Sequence, residues 1–135
     1  WFKKLQERTR RVRVCCGDWK KVVTPSITYK SKGLSGKDIT AIFLDPPYDL
    51  SERDQVYKED NNIFKEVCQW AIENGDNPKL RIALCGYDGD HGIPDTWKIY
   101  KWKANGGFAN LGNDRGKDNA SKETIWFSPH CLEIK

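Results

Sequence analysis

The sequence predicts an α/β fold in which parallel strands end in an antiparallel hairpin, and three observations carry that prediction. Two short apolar runs, Ile39-Thr40-Ala41-Ile42-Phe43-Leu44 and Leu80-Arg81-Ile82-Ala83-Leu84-Cys85, flank a single amphipathic segment at 62–74. Strand, helix, strand at that spacing is the crossover unit of a parallel sheet. Two aromatic-rich runs then follow, 97–102 and 123–127, with no helical pattern between them. Strands joined without a helix pair in antiparallel fashion. The 135 residues suffice for one domain with a real core.

Residues 2–10 read as a short basic helix, and Val12-Arg13-Val14-Cys15-Cys16 as a strand. Gly17-Asp18-Trp19 turns the chain, with Asp18 placed to cap a short helix running through Val23. Residues 24–37, with Pro25, Ser26, Ser31, Gly33, Ser35 and Gly36, read as loop. The run 39–44 is nearly unbroken in its apolar character, which suits a strand buried on both faces. It ends at Asp45-Pro46-Pro47-Tyr48, and a polar stretch continues through about residue 60. In the helix, Ile63, Phe64, Val67, Cys68, Ala71 and Ile72 share one stripe, with Asn62 as the starting cap and Gly75 as the end cap. The strand at 80–85 stops at Gly86, and a Gly-, Asn- and Lys-rich loop, 105–122, joins the two aromatic runs.

The net charge of +4 is unevenly spread. Residues 1–40 hold eleven Lys or Arg against three acids, residues 41–100 six against twelve, and residues 101–135 six against four. A basic flank beside an acidic centre can hold a polyanion next to a site that needs carboxylates, although a solvated surface gives the same count. No apolar run approaches the length of a membrane span, and the first residues have no signal-peptide core. The five cysteines are odd in number and have no C-x-x-C spacing, so free, buried thiols in a reducing compartment are expected and no metal is assigned.

The chemistry centres on Asp45. In an open α/β sheet, ligands sit beyond the carboxyl ends of the strands, and Asp45 is the first polar residue after a buried run. Pro46 and Pro47 fix two φ angles and remove two backbone donors, leaving carbonyls free to accept. Tyr48 adds a flat face. An aromatic amine is a poor nucleophile because its lone pair is delocalised into the ring. A carboxylate and a carbonyl that both accept from the amino group turn that lone pair outward, toward a methyl donor held in line. Tyr48 would stack on the base, as base-flipping enzymes require.

The stretch Ala41-Ile42-Phe43-Leu44-Asp45-Pro46-Pro47-Tyr48 resembles the catalytic motif of the DNA adenine methyltransferases, within the Rossmann-like superfamily dependent on S-adenosylmethionine (AdoMet). The likeness extends to Arg53 and Tyr57 in the following loop, to the strand and rim from Leu80 to His91, and to Trp102–Gly107 and Ile125–Pro129 in the closing hairpin. It covers most of the chain, but D-P-P-Y alone is specific. The resemblance implies that Asp45 and the Pro46 carbonyl bind the target amino group and that Tyr48 stacks on a flipped adenine. It implies that Asp18, after an earlier strand, contacts the adenine moiety of AdoMet. Arg53, Tyr57, Lys101, Lys103, Arg115 and Lys117 become candidates for contact with double-stranded DNA, the last two within the 105–122 loop. A cytoplasmic setting, in a bacterial host or encoded by a phage, is expected.

One element of that family's pattern has no counterpart. A glycine-rich AdoMet loop of the F-x-G-x-G type is needed after a first strand, and nothing upstream of Asp45 supplies it. The chain is therefore expected to be the C-terminal portion of the catalytic domain, a partial Rossmann-like methyltransferase sheet whose partner is the N-terminal part of the same enzyme. Alone, it should bind AdoMet weakly. Two alternatives stay open. The D-P-P-Y chemistry also serves enzymes that methylate cytosine in DNA, guanine in RNA or glutamine in protein. A non-catalytic nucleic-acid-binding remnant would use the basic N-terminal third and exposed aromatics.

Overall fold

A computed structural model describes residues 1–10, 12–30, 39–47, 63–89, 91–101 and 123–133. Strand β1 (Thr40–Leu44) pairs in parallel with β2 (Leu80–Tyr87), Thr40 opposite Leu80 and Leu44 opposite Leu84. Between them runs helix α3 (Ile63–Asn74). Strands β3 (Lys98–Lys101) and β4 (Glu123–Phe127) form the expected antiparallel pair, and β4 lies between β2 and β3, giving the order β1-β2-β4-β3. The fold is thus α/β with a mixed four-stranded sheet, parallel at one side and antiparallel at the other.

One face of the sheet carries the core. Phe64, Val67, Cys68 and Ala71 of α3 recur at helical spacing and are all buried. They belong to one cluster with Leu80, Ile82 and Leu84, the alternate residues of β2, each fully buried. Burial of side chains of this size stabilises by about 1.5–3 kcal/mol apiece, so this helix–strand contact anchors the domain. Trp126 of β4 and Trp97 complete the cluster. Beyond the end of the β2–β4 ladder, Ser128 takes over the hydrogen bonding of Ile82. Its backbone N–H donates to the Ile82 carbonyl and its hydroxyl accepts from the Ile82 N–H.

Three sequence expectations need correction, and a fourth needs refinement. Residues 12–16 form no strand; they are exposed coil, with Val14 94% accessible. A strand needs a ladder partner, and no neighbouring strand among the described residues offers one. Strand β1 is not buried on both faces: Thr40, Ile42 and Leu44 turn toward the core side, but Ala41 and Phe43 on the other face are exposed. Gly75 directly follows α3, as expected of the residue at its end, but it is not left-handed: among the described glycines only Gly17 and Gly92 have positive φ. Its lack of a side chain instead admits Trp97, whose Cζ2 would stand 2.5 Å from a Cβ at that position. Finally, Cys68 and Cys85 are buried, but Cys15 and Cys16 are exposed.

The N-terminal third is built of short pieces. Helix α1 (Phe2–Thr9) buries none of its residues. Asp18 caps a single 3-10 turn, Trp19–Lys21, by accepting from the Lys20 N–H. Helix α2 (Pro25–Thr28), with proline at its start, lies within the stretch read as loop. No described helix is long and apolar enough to cross a membrane.

Candidate functional site

The carboxyl end of β1 opens into a cleft of about 520 Å³, within the range of small-molecule sites. Its floor is β1 itself, leading into Asp45, Pro46 and Pro47. One wall is the start of α3, through Ile63 and Val67; the other is Trp19, Val22, Val23, Ile27 and Thr28. The lining is largely apolar, with a carboxylate at the rim. Such a space accepts a flat ring and offers it one strong hydrogen-bond acceptor.

The second wall is pinned at both ends, although its helices are too short to be stable alone. At the near end, Lys20 pairs with Glu66 of α3 at 2.6 Å, and Trp19 packs edge-on against Trp70, ring centroids 6.1 Å apart. The hydrogen bond to Glu66 and its charge hold the Lys20 ammonium above the ordinary lysine value. At the far end, the Thr40 hydroxyl donates to the Thr28 carbonyl at 2.6 Å, tying α2 to the start of β1.

Asp45 also bears on the strand beside it. Burial, then the charges of Asp45 and Glu123, push the Cys85 thiol up to about 11. Glu123 lies opposite Tyr87 at the carboxyl end of β2, so two acidic side chains stand near Cys85 at this rim. Sequence reading missed Glu123, because only the cross-strand register brings it there. It also missed Trp19, whose signal was its place directly after a capping Asp.

Next to the rim, His91 folds the turn after β2 back on itself. Its Nε2 lies 2.8 Å from the Tyr87 carbonyl and donates in the matching tautomer. The ring meets Phe64 and Trp126 nearly perpendicularly, with centroids 5.0 and 5.3 Å away. This aromatic cluster fixes the first turn of α3, and so one wall of the cleft.

The sequence-derived candidates separate into three groups. Asp45, Pro46 and Pro47 come together at the cleft. Asp18 does not line it; its carboxylate caps the 3-10 turn, and the residue after it, Trp19, forms the wall. Lys101 lies on β3, at the opposite edge of the sheet, with its ammonium 2.6 Å from the Asp88 carboxylate. Tyr48, Arg53, Tyr57, Lys103, Arg115, Lys117 and the loop 105–122 fall outside the described residues.

No family model, curated protein or solved structure matches the chain.

Proposed function

We propose that this chain carries the amino-group-binding half of an AdoMet-dependent methyltransferase site, acting on the exocyclic amino group of adenine in double-stranded DNA. The observation that supports the reading is the position of Asp45-Pro46-Pro47: at the carboxyl end of a parallel strand, on the rim of an apolar cleft wide enough for a nucleoside. The Asp45 carboxylate and the Pro46 carbonyl would each accept one N–H of the target amine. With both protons engaged, the nitrogen lone pair is directed out of the ring plane, toward whatever electrophile stands opposite. The apolar walls keep water from competing for the same protons.

AdoMet, when bound, supplies a methyl group on a positively charged sulfur. The described residues fit part of that cofactor: Trp19, Ile63 and Val67 offer apolar surface for a ring. The glycine-rich loop expected to hold the rest has no counterpart in the sequence before Asp45, so a further portion of the enzyme is part of the proposal. The substrate choice comes from the resemblance alone.

The test is methyl transfer from radiolabelled AdoMet to unmethylated DNA, followed by nucleoside analysis, on the 135 residues and on a form extended at its N-terminus. We expect weak AdoMet binding by the former, and N6-methyladenine from the latter. Asp45→Asn in the active form should lower the rate by roughly 10²–10³, the usual loss for one aligned group at a reacting centre. An unchanged rate in that variant would remove the proposed role, and a product other than N6-methyladenine would reassign the substrate.

A further inference from the structure

Helix α1 is at odds with its own charges. It buries none of its eight residues, has no side-chain cap and has no acid in its first turn. Lys3 and Lys4 occupy that turn, at the end of the helix where the dipole disfavours cations. Lys4 and Arg8 lie four residues apart on one face, a spacing at which like charges repel. A helix this short is not stable in water by itself. An anion laid against it relieves each of these conflicts. The cations are also uncommitted. Lys3, Lys4, Arg8, Arg10 and Arg13 are all exposed, and among the described residues none of them forms an ion pair. Three lysines elsewhere are each held by an acid: Lys20 by Glu66, Lys98 by Glu133 and Lys101 by Asp88. In residues 1–16 the sole acid is Glu7.

We propose that α1 and the coil after it dock on the phosphate backbone of duplex DNA, with Lys4 and Arg8 as the central pair and Arg10 and Arg13 extending the contact. The cations are strung along the chain and not gathered at one point, which suits a row of phosphates better than a single small anion. Lys4 and Arg8 are roughly 6 Å apart along the helix axis, and a duplex carries a charge every ~1.7 Å of its own axis. Arginine adds a fork that grips phosphate oxygens in pairs. An anionic lipid surface fits less well, because it also needs apolar area to bury. Of the eight residues of α1, Phe2 and Leu5 are the apolar ones. The position also suits the cleft. Trp19, on its wall, lies ten residues beyond Thr9, a reach of at most ~35 Å, about one turn of B-DNA. One duplex can thus lie against α1 and present a base to Asp45. The choice of DNA as the polyanion rests on the methyl-transfer reading; the demand for a polyanion comes from α1 itself.

Anisotropy of a labelled DNA duplex, titrated with the full 135-residue chain without AdoMet from about 50 to 200 mM salt, tests this. The logarithm of the affinity should fall linearly with that of the salt concentration, alike for duplexes of different sequence, since phosphate contacts carry no sequence information. Lys4→Gln with Arg8→Gln should weaken binding by at least about tenfold and reduce the salt slope by about two. Neither residue is buried, so the urea midpoint of this variant should equal that of the parent. Lys65→Gln with Lys98→Gln removes the same formal charge from α3 and β3 and should cost less than about twofold. A parent chain that binds no duplex overturns the proposal. So does a Lys4→Gln, Arg8→Gln variant that binds as the parent does, or a loss just as large in the Lys65→Gln, Lys98→Gln control. Binding to phosphatidylglycerol vesicles but not to DNA, abolished by the α1 variant, overturns it in favour of a lipid surface. No methylated product is scored, so failure here leaves the methyl-transfer reading standing, and duplex binding through α1 without methylation refutes that reading alone.

Discussion

Replacing Gly86 by alanine probes the packing beneath the rim of the cleft, and the outcome can be worked out from distances. A Cβ at Gly86 would stand 2.8 and 2.9 Å from Cε2 and Cζ of Phe64 and 3.0 Å from Cζ3 of Trp126. Ordinary contact starts near 3.4 Å, so each ring must retreat by about half an ångström or lose the steepest part of its packing energy. Neither ring is free to do so. Both are buried, and His91 stands edge-on against each. Two effects compete. Alanine narrows the unfolded ensemble, a gain of about 0.4–1 kcal/mol where the native backbone tolerates it. Overpacking a close-packed site costs about 1–3 kcal/mol. With two rigid rings displaced at once, the second effect prevails, and Gly86→Ala should lose about 1–2 kcal/mol. Urea unfolding followed by tryptophan fluorescence should then show a lower midpoint with an unchanged slope. Phe64→Leu, added to Gly86→Ala, should recover part of the loss, a coupling that a change in strand propensity would not produce. A Gly86→Ala chain as stable as the parent would refute the view that this aromatic cluster fixes the first turn of α3.

Two further outcomes follow from the thiols and the wall of the cleft. Burial raises both Cys68 and Cys85 to about 11, so alkylation near pH 8 should label Cys15 and Cys16 in the native chain and reach Cys68 and Cys85 only after unfolding, as peptide mass mapping will show. Because the folded state favours the neutral thiols, their contribution to stability is complete below the unfolded value of 9.0 and is lost as the pH rises through about 11; urea midpoints measured from pH 8 to 11 should fall across that window. The Lys20–Glu66 pair, exposed on both sides, should add little to stability in high salt. With the lysine held above its ordinary value, whatever the pair does contribute is present at neutral pH and disappears only in alkali, a loss that Lys20→Gln should abolish in the same series.

The elements legible in the sequence were those whose pattern is local and whose partner lies close along the chain. Phe64, Val67, Cys68 and Ala71 repeat at helical spacing, and the apolar runs at 39–44 and 80–85 flank that helix, so the parallel pair could be read directly. The closing hairpin could also be read, because two aromatic runs without a helix between them have few other ways to pair. The strand expected at 12–16 failed for the complementary reason. Alternation marks a segment as able to enter a sheet, but hydrogen bonding requires a neighbouring strand, and the outer side of β1 is not occupied by it. Gly75 follows the helix as expected, but a glycine in that place has two uses. One is a left-handed cap and the other is room for a neighbour, and Trp97 lies more than twenty positions away. Of the site, the motif at 45–47 and its place at a strand end were readable, whereas the wall built from Trp19 to Thr28 was not. Those residues carry no periodicity; a salt bridge, one edge-on tryptophan pair and one threonine hydroxyl set their position.

The same asymmetry explains how Asp45 can be fixed while the space beside it stays open. β1 receives its ladder from β2 alone, through a register that sets Leu44 against the fully buried Leu84. Leu44 is itself buried in the core cluster, so the residue that follows it inherits a defined position from the ladder. Among the described residues, the Thr28–Thr40 hydrogen bond links the wall to the amino end of β1, one strand length from Asp45. The wall is held to α3 by Lys20 and Trp19. A ligand that enters the cleft therefore leaves the β1–β2 ladder intact. The β1–β2 pair thus sets where the Asp45-Pro46-Pro47 segment begins, and the wall from Trp19 to Thr28 bounds the space beside it.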